Sequence, residues 1–301
     1  MMLIILILSF VYYVAQPIQT QKILYVPKGS INKIITQFQE KNYNLSKIDS
    51  LLLRFLGTPQ NGWISFESTL QTRGDFLYKL TKAKALTQKV TIIPGETTYF
   101  ILREFAKKYH FNLHKLIVEF KKQAPIQEGA FFAETYYIPK GLDEKRFIQL
   151  LLELSQKNFK KISLKYLGYY KQEKFLPYII IASIIEKEAA SIQEMPLISS
   201  VIYNRLKKGM KLQMDGTLNY GKYSHTKVTA YRIRHDKSMF NTYKYSSLPS
   251  VPICNTGKYA LIAALRPQKS NYLYFMKNKN GTHDFTCYYS THLKNIRRAT
   301  K

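Results

Sequence analysis

Two acids stand in an otherwise apolar run, Glu186 and Glu188, within the segment from about Pro177 to Ala190. At helical spacing this segment is apolar on nearly every side, the pattern of a central, buried helix. A carboxylate in such a place must be paired, exposed at one end, or chemically employed. The two glutamates lie about 200° apart around a helix, so they do not share one task. Three and four residues from Glu186 stand Ala182, Ser183, Ala189 and Ala190, all small, whereas Glu188 is flanked by Ile184, Ile185, Ser191 and Ile192. A carboxyl in a strip of small residues leaves room for a substrate, which singles out Glu186 as the candidate acid with Ser183 beside it. The same strip would equally let another helix pack closely, with Glu186 paired to a base, and spacing leaves both readings open. An acid kept protonated by apolar surroundings suits glycoside cleavage, where it protonates the leaving oxygen. Ordinary glycosidases need a second carboxylate, for which Asp215, Glu128 and Glu134 are the candidates.

Other chemistries are excluded by what is missing. There is no Gly-rich phosphate loop, no zinc-type Cys/His spacing and no nucleophile elbow, so neither cofactor nor metal is expected. Of the six histidines, only His110 and His114 have an i, i+4 spacing, and they fall across a helix break without an adjacent acid. A balance of 46 basic to 19 acidic residues gives a net charge of +27, which points to a polyanionic environment such as nucleic acid, anionic lipid or cell-wall polymer. The basic residues are dispersed and an apolar segment precedes them, which argues against nucleic acid. The densest set, Lys157, Lys160, Lys161, Lys165, Lys171 and Lys174, reads as a solvated linker face. Cys254 and Cys287 permit one disulfide, and free, buried thiols are the expectation.

The elements that must position these residues follow from periodicity. Met1 to Ala15 is almost wholly apolar but would span roughly 22 Å as a helix, against about 30 Å of hydrocarbon. It is expected to form an uncleaved N-terminal anchor, since Tyr13-Val14-Ala15 lacks the small residues of a signal-peptide cut. Lys22 to Val26 reads as a strand, with Ser30 capping a helix that buries Ile31, Ile34, Ile35 and Phe38. The plan returns with a strand at Val90 to Ile93, a turn at Pro94-Gly95, helices at Tyr99 to Tyr109 and around Leu113 to Phe120, and a strand at Tyr136 to Pro139. Asp143 caps a helix burying Phe147, Leu150, Leu151 and Leu154, and a second helix of the central pair starts near Pro196 and stops at Gly209. Beyond Gly209 lie polar loops, 211–217 and 248–257, and probable-strand composition at 271–276 and 283–289. The expected fold class is α+β: an N-terminal membrane helix, small α/β modules, and a mixed α+β catalytic domain with a central buried helix. The expected divisions are 1–20 anchor, 22–88 membrane-proximal subdomain, 89–140 glycan-binding-like subdomain, 141–174 helical linker and 175–301 catalytic domain.

Ala182-Ser183-Ile184-Ile185-Glu186-Lys187-Glu188, followed by Val201-Ile202-Tyr203-Asn204-Arg205-Leu206, resembles the MltG (YceG-like) family of endolytic murein transglycosylases. Met210 to Asp215 with Thr217 and Tyr220-Gly221, Asn241-Thr242-Tyr243 with Leu248-Pro249, and Pro252 to Asn255 with Gly257 continue the resemblance. Ala263-Ala264, Pro267, Tyr272 to Phe275, His283, Phe285, His292 and Asn295 complete it. Glu128 to Tyr136 looks like the family's Glu-Gly-Tyr-Leu-Phe-Pro-Asp-Thr-Tyr element, with Ala133 in place of Pro and Glu134 in place of Asp. The strand-helix-helix-strand unit at 89–140 resembles a LysM glycan-binding module.

The resemblance implies a single-pass inner-membrane protein facing the periplasm that cuts peptidoglycan strands between N-acetylmuramic acid and N-acetylglucosamine, leaving 1,6-anhydromuramoyl ends and so terminating strand elongation. The sugar's own C6 hydroxyl would attack, so one acid suffices, and Glu186 is assigned that role. Gln213, Asp215, Thr217, Tyr220, Asn241, Tyr243 and Asn255 are expected to hold sugar groups, with Ser183, Asn204 and Glu128 in support. Peptidoglycan synthases are the partners the family suggests. A non-catalytic peptidoglycan-binding scaffold, tolerant of Glu186→Gln, is the competing reading.

Overall fold

The structure, a computed structural model, describes residues 2–83 and 86–300. Met1, at the head of the expected anchor, Lys84 and Ala85, within the expected 22–88 subdomain, and Lys301 lie outside the described residues. The chain divides into two compact units, Met1–Val90 with Tyr137–Leu142, and Thr91–Tyr136 with Asp143–Lys301.

The first unit opens with helix α1 (Met2–Ala15), whose 14 residues are all apolar except for one serine and two tyrosines. Its large side chains stand in the open from Met2 to Tyr12. No described helix is long and apolar enough to cross a membrane. Strand β1 (Pro17–Gln19) pairs antiparallel with β4 (Leu70–Thr72), and β2 (Ile23–Val26) pairs antiparallel with β3 (Gly62–Ser65). Between β2 and β3 run α2 (Ile31–Glu40) and α3 (Lys47–Leu56), and α4 (Arg73–Lys82) follows β4. Ser30 caps α2 by accepting the Lys33 N–H, as its position predicts, and Ser46 with Asp49 forms a reciprocal capping box on α3. Leu24 and Val26 point inward while Ile23 and Tyr25 point out, the period-two alternation of a half-covered sheet. Ile34, Ile35, Phe38, Leu53, Phe76 and Leu77 close the core.

Strands β5 (Thr87–Thr91) and β7 (Thr135–Pro139) pair where the sequence passes from one unit to the other. Between them come α5 (Thr98–Tyr109), α6 (Leu113–Gln123) and the short β6 (Phe132–Ala133). The strand-helix-helix-strand order read from the sequence is therefore present here and also in residues 23–65. The expected strand at Val90 to Ile93 lies earlier in the chain, because Pro94-Gly95 needs the preceding residues for its turn.

The second unit continues with α7 (Glu144–Leu167), α8 (Gln172–Glu188) and α9 (Met195–Lys207). The exposed lysines of α7 form a solvated face, as their spacing suggests. Helix α8 starts five residues ahead of Pro177, which lies inside it. A proline there removes one N–H from the helix ladder, and burial of Phe175 and the isoleucines beyond it offsets that loss. Ile179 to Ile185 are all buried, so α8 is the central helix, enclosed chiefly by α9 and α11 (Lys258–Leu265). Helix α9 ends at Gly209, whose φ of +66° is the left-handed conformation that lets the chain leave the helix. A loop-rich stretch follows, with short α10 (Ala230–His235) and β8 (Thr256–Gly257), the latter parallel to β6. Hairpin β9 (Tyr274–Lys277) and β10 (His283–Thr286), then α12 (Tyr289–Thr300), complete the unit.

Candidate active site

Both glutamates occupy the last turn of α8, which stops at Glu188 because Ala189 turns to an extended backbone. The negative end of a helix disfavours ionised carboxyls, so this location alone favours the protonated acids. Their surroundings then separate them. Ser183 Oγ accepts the Ile253 N–H at 3.0 Å, and Cys254 Sγ sits 3.4 Å from Ser183 O. The strip of small residues is thus a packing seat for the 252–257 segment. Glu186 is half-buried there, accepting the Gly257 N–H at 3.1 Å, and burial raises its pKa against that bond. Among the described residues no cation pairs with it. The strip thus seats the chain's own 252–257 segment, and the pairing of Glu186 with a base is not seen among the described residues.

The groove lies on the other side of α8. It has a volume of about 440 Å³ and is lined by Glu188, Gln213, Asp215 and Tyr243, together with Arg205, Tyr274 and His292. Glu186 does not line it. Glu188 Oε1 accepts the Gly216 N–H at 2.7 Å. Burial pushes the Glu188 carboxyl up to about 7 and the Asp215 charge adds to this, while the Gly216 N–H and the Arg205 charge oppose them. Beside it, Tyr243 donates to Asp215 Oδ1 at 2.6 Å. The result is an acid that carries its proton near neutrality, next to an ionisable carboxylate and a phenol, at the wall of an open groove.

The loop carrying these groups is fixed by buried bonds. Gln213 adopts φ +51°, a strained left-handed backbone for a residue with a side chain. Its N–H donates to Thr242 O at 3.1 Å, and the Met214 N–H donates to Thr242 Oγ1 at 3.1 Å. Arg205, 6% exposed, spends its guanidinium on carbonyls: Nε on Leu273 O at 2.6 Å and Nη1 on Leu212 O at 2.6 Å and Lys211 O at 3.2 Å. It joins α9 to both the 211–215 loop and β9, and lies over the Tyr274 ring at 5.2 Å. The role of Arg205 in tying carbonyls depends on the folded loop and has no signal in its sequence neighbours.

The remaining predicted residues serve the framework. Thr217, fully buried, donates to Met214 O at 2.7 Å. Asn241, also buried, donates to Ile233 O and Asp236 O, each at 2.8 Å. Tyr220 stacks on Phe240 at 4.2 Å and donates to Asp236 Oδ2 at 3.1 Å. Asn204 Nδ2 donates to Ser270 O and Tyr272 O, each at 2.9 Å. Asn255 is enclosed, with Oδ1 accepting the Phe131 N–H at 2.9 Å. Glu128 Oε1 accepts from Thr98 N, Thr98 Oγ1, Gly129 N and Asn255 Nδ2 at 2.6–3.1 Å. It thereby caps the first turn of α5, although burial still raises it to about 7. Of the seven expected sugar contacts, Gln213, Asp215 and Tyr243 come together in the groove. Cys254 and Cys287 are free, Cys254 buried and Cys287 half-buried. Among the described residues no group of histidine, cysteine and acidic side chains could hold a metal ion.

A helical α+β unit with a protonatable carboxyl in a polar, aromatic groove is the class of site these features define. The sequence profile of the YceG-like family matches residues 24–298, and the chain belongs to that family. It is similar to the endolytic murein transglycosylase of Bacillus subtilis, 31% identical over 227 residues, covering 70% of this chain and 61% of the relative. To the endolytic murein transglycosylase of Streptococcus pneumoniae strain R6 it is 31% identical over 212 residues, covering 68% of this chain and 37% of the relative. The chain therefore spans less than two thirds of the length of either relative. A crystal structure of a yceG-like protein from Listeria monocytogenes superposes with a TM-score of 0.58 at 25% identity, covering 90% of this chain and 97% of that one.

Proposed function

We propose that this protein is an endolytic peptidoglycan lytic transglycosylase whose acid is Glu188. The observation that carries the reading is that Glu188, raised to about 7, opens onto the groove shared by Gln213, Asp215 and Tyr243. The Glu188 carboxyl gives its proton to the glycosidic oxygen, and the C1–O bond breaks. The sugar's C6 oxygen then bonds to C1, and the Glu188 carboxylate takes the proton that oxygen releases. Each proton is accounted for, and no water or enzyme nucleophile enters, so a single acid serves where other glycosidases use two. Proton transfer of this kind contributes about 10²- to 10⁴-fold in rate. Asp215 and Tyr243 hold sugar hydroxyl or acetamido groups, and Gln213 adds an amide.

The surrounding assignments belong to the same reading. Helix α1 anchors the chain at the inner membrane with the catalytic unit in the periplasm, the residues at 89–140 act as a LysM-like module, and peptidoglycan synthases are partners. The family membership and the names of the relatives support the murein-cleaving part of this reading. The test digests purified glycan strands with the protein and reads the fragments by mass. Internal cuts ending in 1,6-anhydromuramic acid support the proposal. Intact strands, or strands bound without cleavage, support the scaffold reading instead.

A further inference from the structure

His292 lies in the first turn of α12 and lines the same groove as Glu188. Its ring stacks on Tyr274, with centroids 5.2 Å apart and planes 24° apart. Among the described residues neither ring nitrogen makes a hydrogen bond, and Nδ1 is shielded from solvent. A shielded, unpaired nitrogen is costly and rarely kept without a purpose. Four of the polar groups that line the groove with it are already engaged. Arg205 is spent on carbonyls, Glu188 on the Gly216 N–H, Asp215 on Tyr243, and His283 on Glu194 at 2.8 Å.

Burial, reinforced by the Arg205 charge, holds the His292 ring below its ordinary pKa. The charged and titratable groups lining the groove with it are Arg205 from α9, Glu188 from α8, Asp215 from the 211–215 loop, Lys277 from β9 and His283 from β10. A neutral imidazole offers one donor and one acceptor, which matches the hydroxyl and amide groups of a sugar.

We propose that His292 is a substrate-binding residue, hydrogen-bonding through Nε2, the ring nitrogen that is not shielded, a polar group of the N-acetylhexosamine unit that lies against Glu188. The inference rests on the glycan-cleaving reading. In that arrangement Tyr274 fixes the ring plane and Glu188 faces the scissile oxygen. A purely structural role would reside in the stacking, which phenylalanine preserves.

The test compares His292→Phe and His292→Gln with wild type on purified glycan strands. The expected result is a KM raised about tenfold or more in His292→Phe, with kcat much less affected, and partial recovery in His292→Gln, which keeps a hydrogen-bonding group. Ring ¹⁵N signals of histidine-labelled Glu188→Gln protein, titrated with penta-N-acetylchitopentaose, provide a readout that survives any misfolding of the His292 variants. The His292 signal should move on saturation. Unchanged kinetics in His292→Phe, or an unmoved His292 signal with binding verified calorimetrically, overturns the assignment. Wild type that releases no anhydro-ended fragments defeats the glycan-cleaving reading itself, a separate outcome.

Discussion

Glu188 Oε1 accepts the Gly216 N–H at 2.7 Å, and a Cβ built on Gly216 would fall 2.7 Å from that same oxygen and 2.7 Å from Lys187 Cβ. The backbone of the groove loop thus meets the end of α8 at a distance only glycine permits. Gly216→Ala is expected to push the Glu188 carboxyl out of place. Strand cleavage should fall at least tenfold, since a displacement near 1 Å can cost about 10²-fold. Steady-state kinetics and the thermal midpoint together check this, because the activity loss should exceed what unfolding explains.

Arg205 ties the 211–215 loop to β9 through a charged fork. Arg205→Lys keeps the charge but lacks the fork geometry, so some of the three carbonyls lose their partner. The expected cost is about 1.5–3 kcal/mol in denaturant unfolding. Faster amide exchange should appear at residues 211–215. Unchanged exchange there would show that the loop is held by other means.

Glu128 and Glu188 both titrate near 7, above the ordinary 4.5, with burial the first cause. Between pH 4.5 and 7 the folded chain therefore binds more protons than the unfolded one. Stability contributed by each protonated acid is present below that window and is lost as pH rises through it. Glu128→Gln keeps an acceptor for the α5 N-terminus and cannot ionise. Its thermal midpoint should rise relative to wild type as pH increases from 5 to 8. A gap that narrows over that range would contradict the buried-acid description. Activity should likewise fall above about pH 7 as Glu188 loses its proton.

In the first unit, Arg73 Nη1 meets Asp49 Oδ2 at 2.8 Å with both side chains almost fully buried, and Tyr13 donates to the same oxygen at 3.0 Å. Removing one partner leaves an uncompensated charge. Asp49→Ala is expected to destabilise the protein by about 3–5 kcal/mol, read by chemical denaturation. A cost below about 1 kcal/mol would mean that water reaches Arg73 readily.

Much of this was legible beforehand, and the failures share a cause. Ser30 and Asp143 cap helices where their positions say, because a cap is a local device, whereas α5 takes its cap from the distant Glu128. Gly209 ends α9 for the same reason. The run around Ile179 to Ile185 announced the central helix, since apolarity on all sides has few other solutions. The choice between Glu186 and Glu188 was of another kind. Small neighbours marked a surface of close approach, but sequence could not say whether a ligand or the chain's own 252–257 segment would use it. Ser183 Oγ accepts the Ile253 N–H, so the chain's own segment uses that part of the strip. Thr217, Asn241 and Asn255 belong to recognisable motifs, yet their polar atoms face backbone and side-chain groups that only the folded loops bring near. Gln213's left-handed backbone had no sequence signal, because glycine would have been the expected residue there.

The central claim is that the proton for strand cleavage resides on Glu188. Glu188→Gln and Glu186→Gln, each checked for folding, are assayed side by side with wild type for release of anhydro-ended fragments. The account predicts a loss of about 10²-fold or more for Glu188→Gln, with Glu186→Gln within about tenfold of wild type. Full activity in Glu188→Gln, with the loss falling on Glu186→Gln instead, would contradict it.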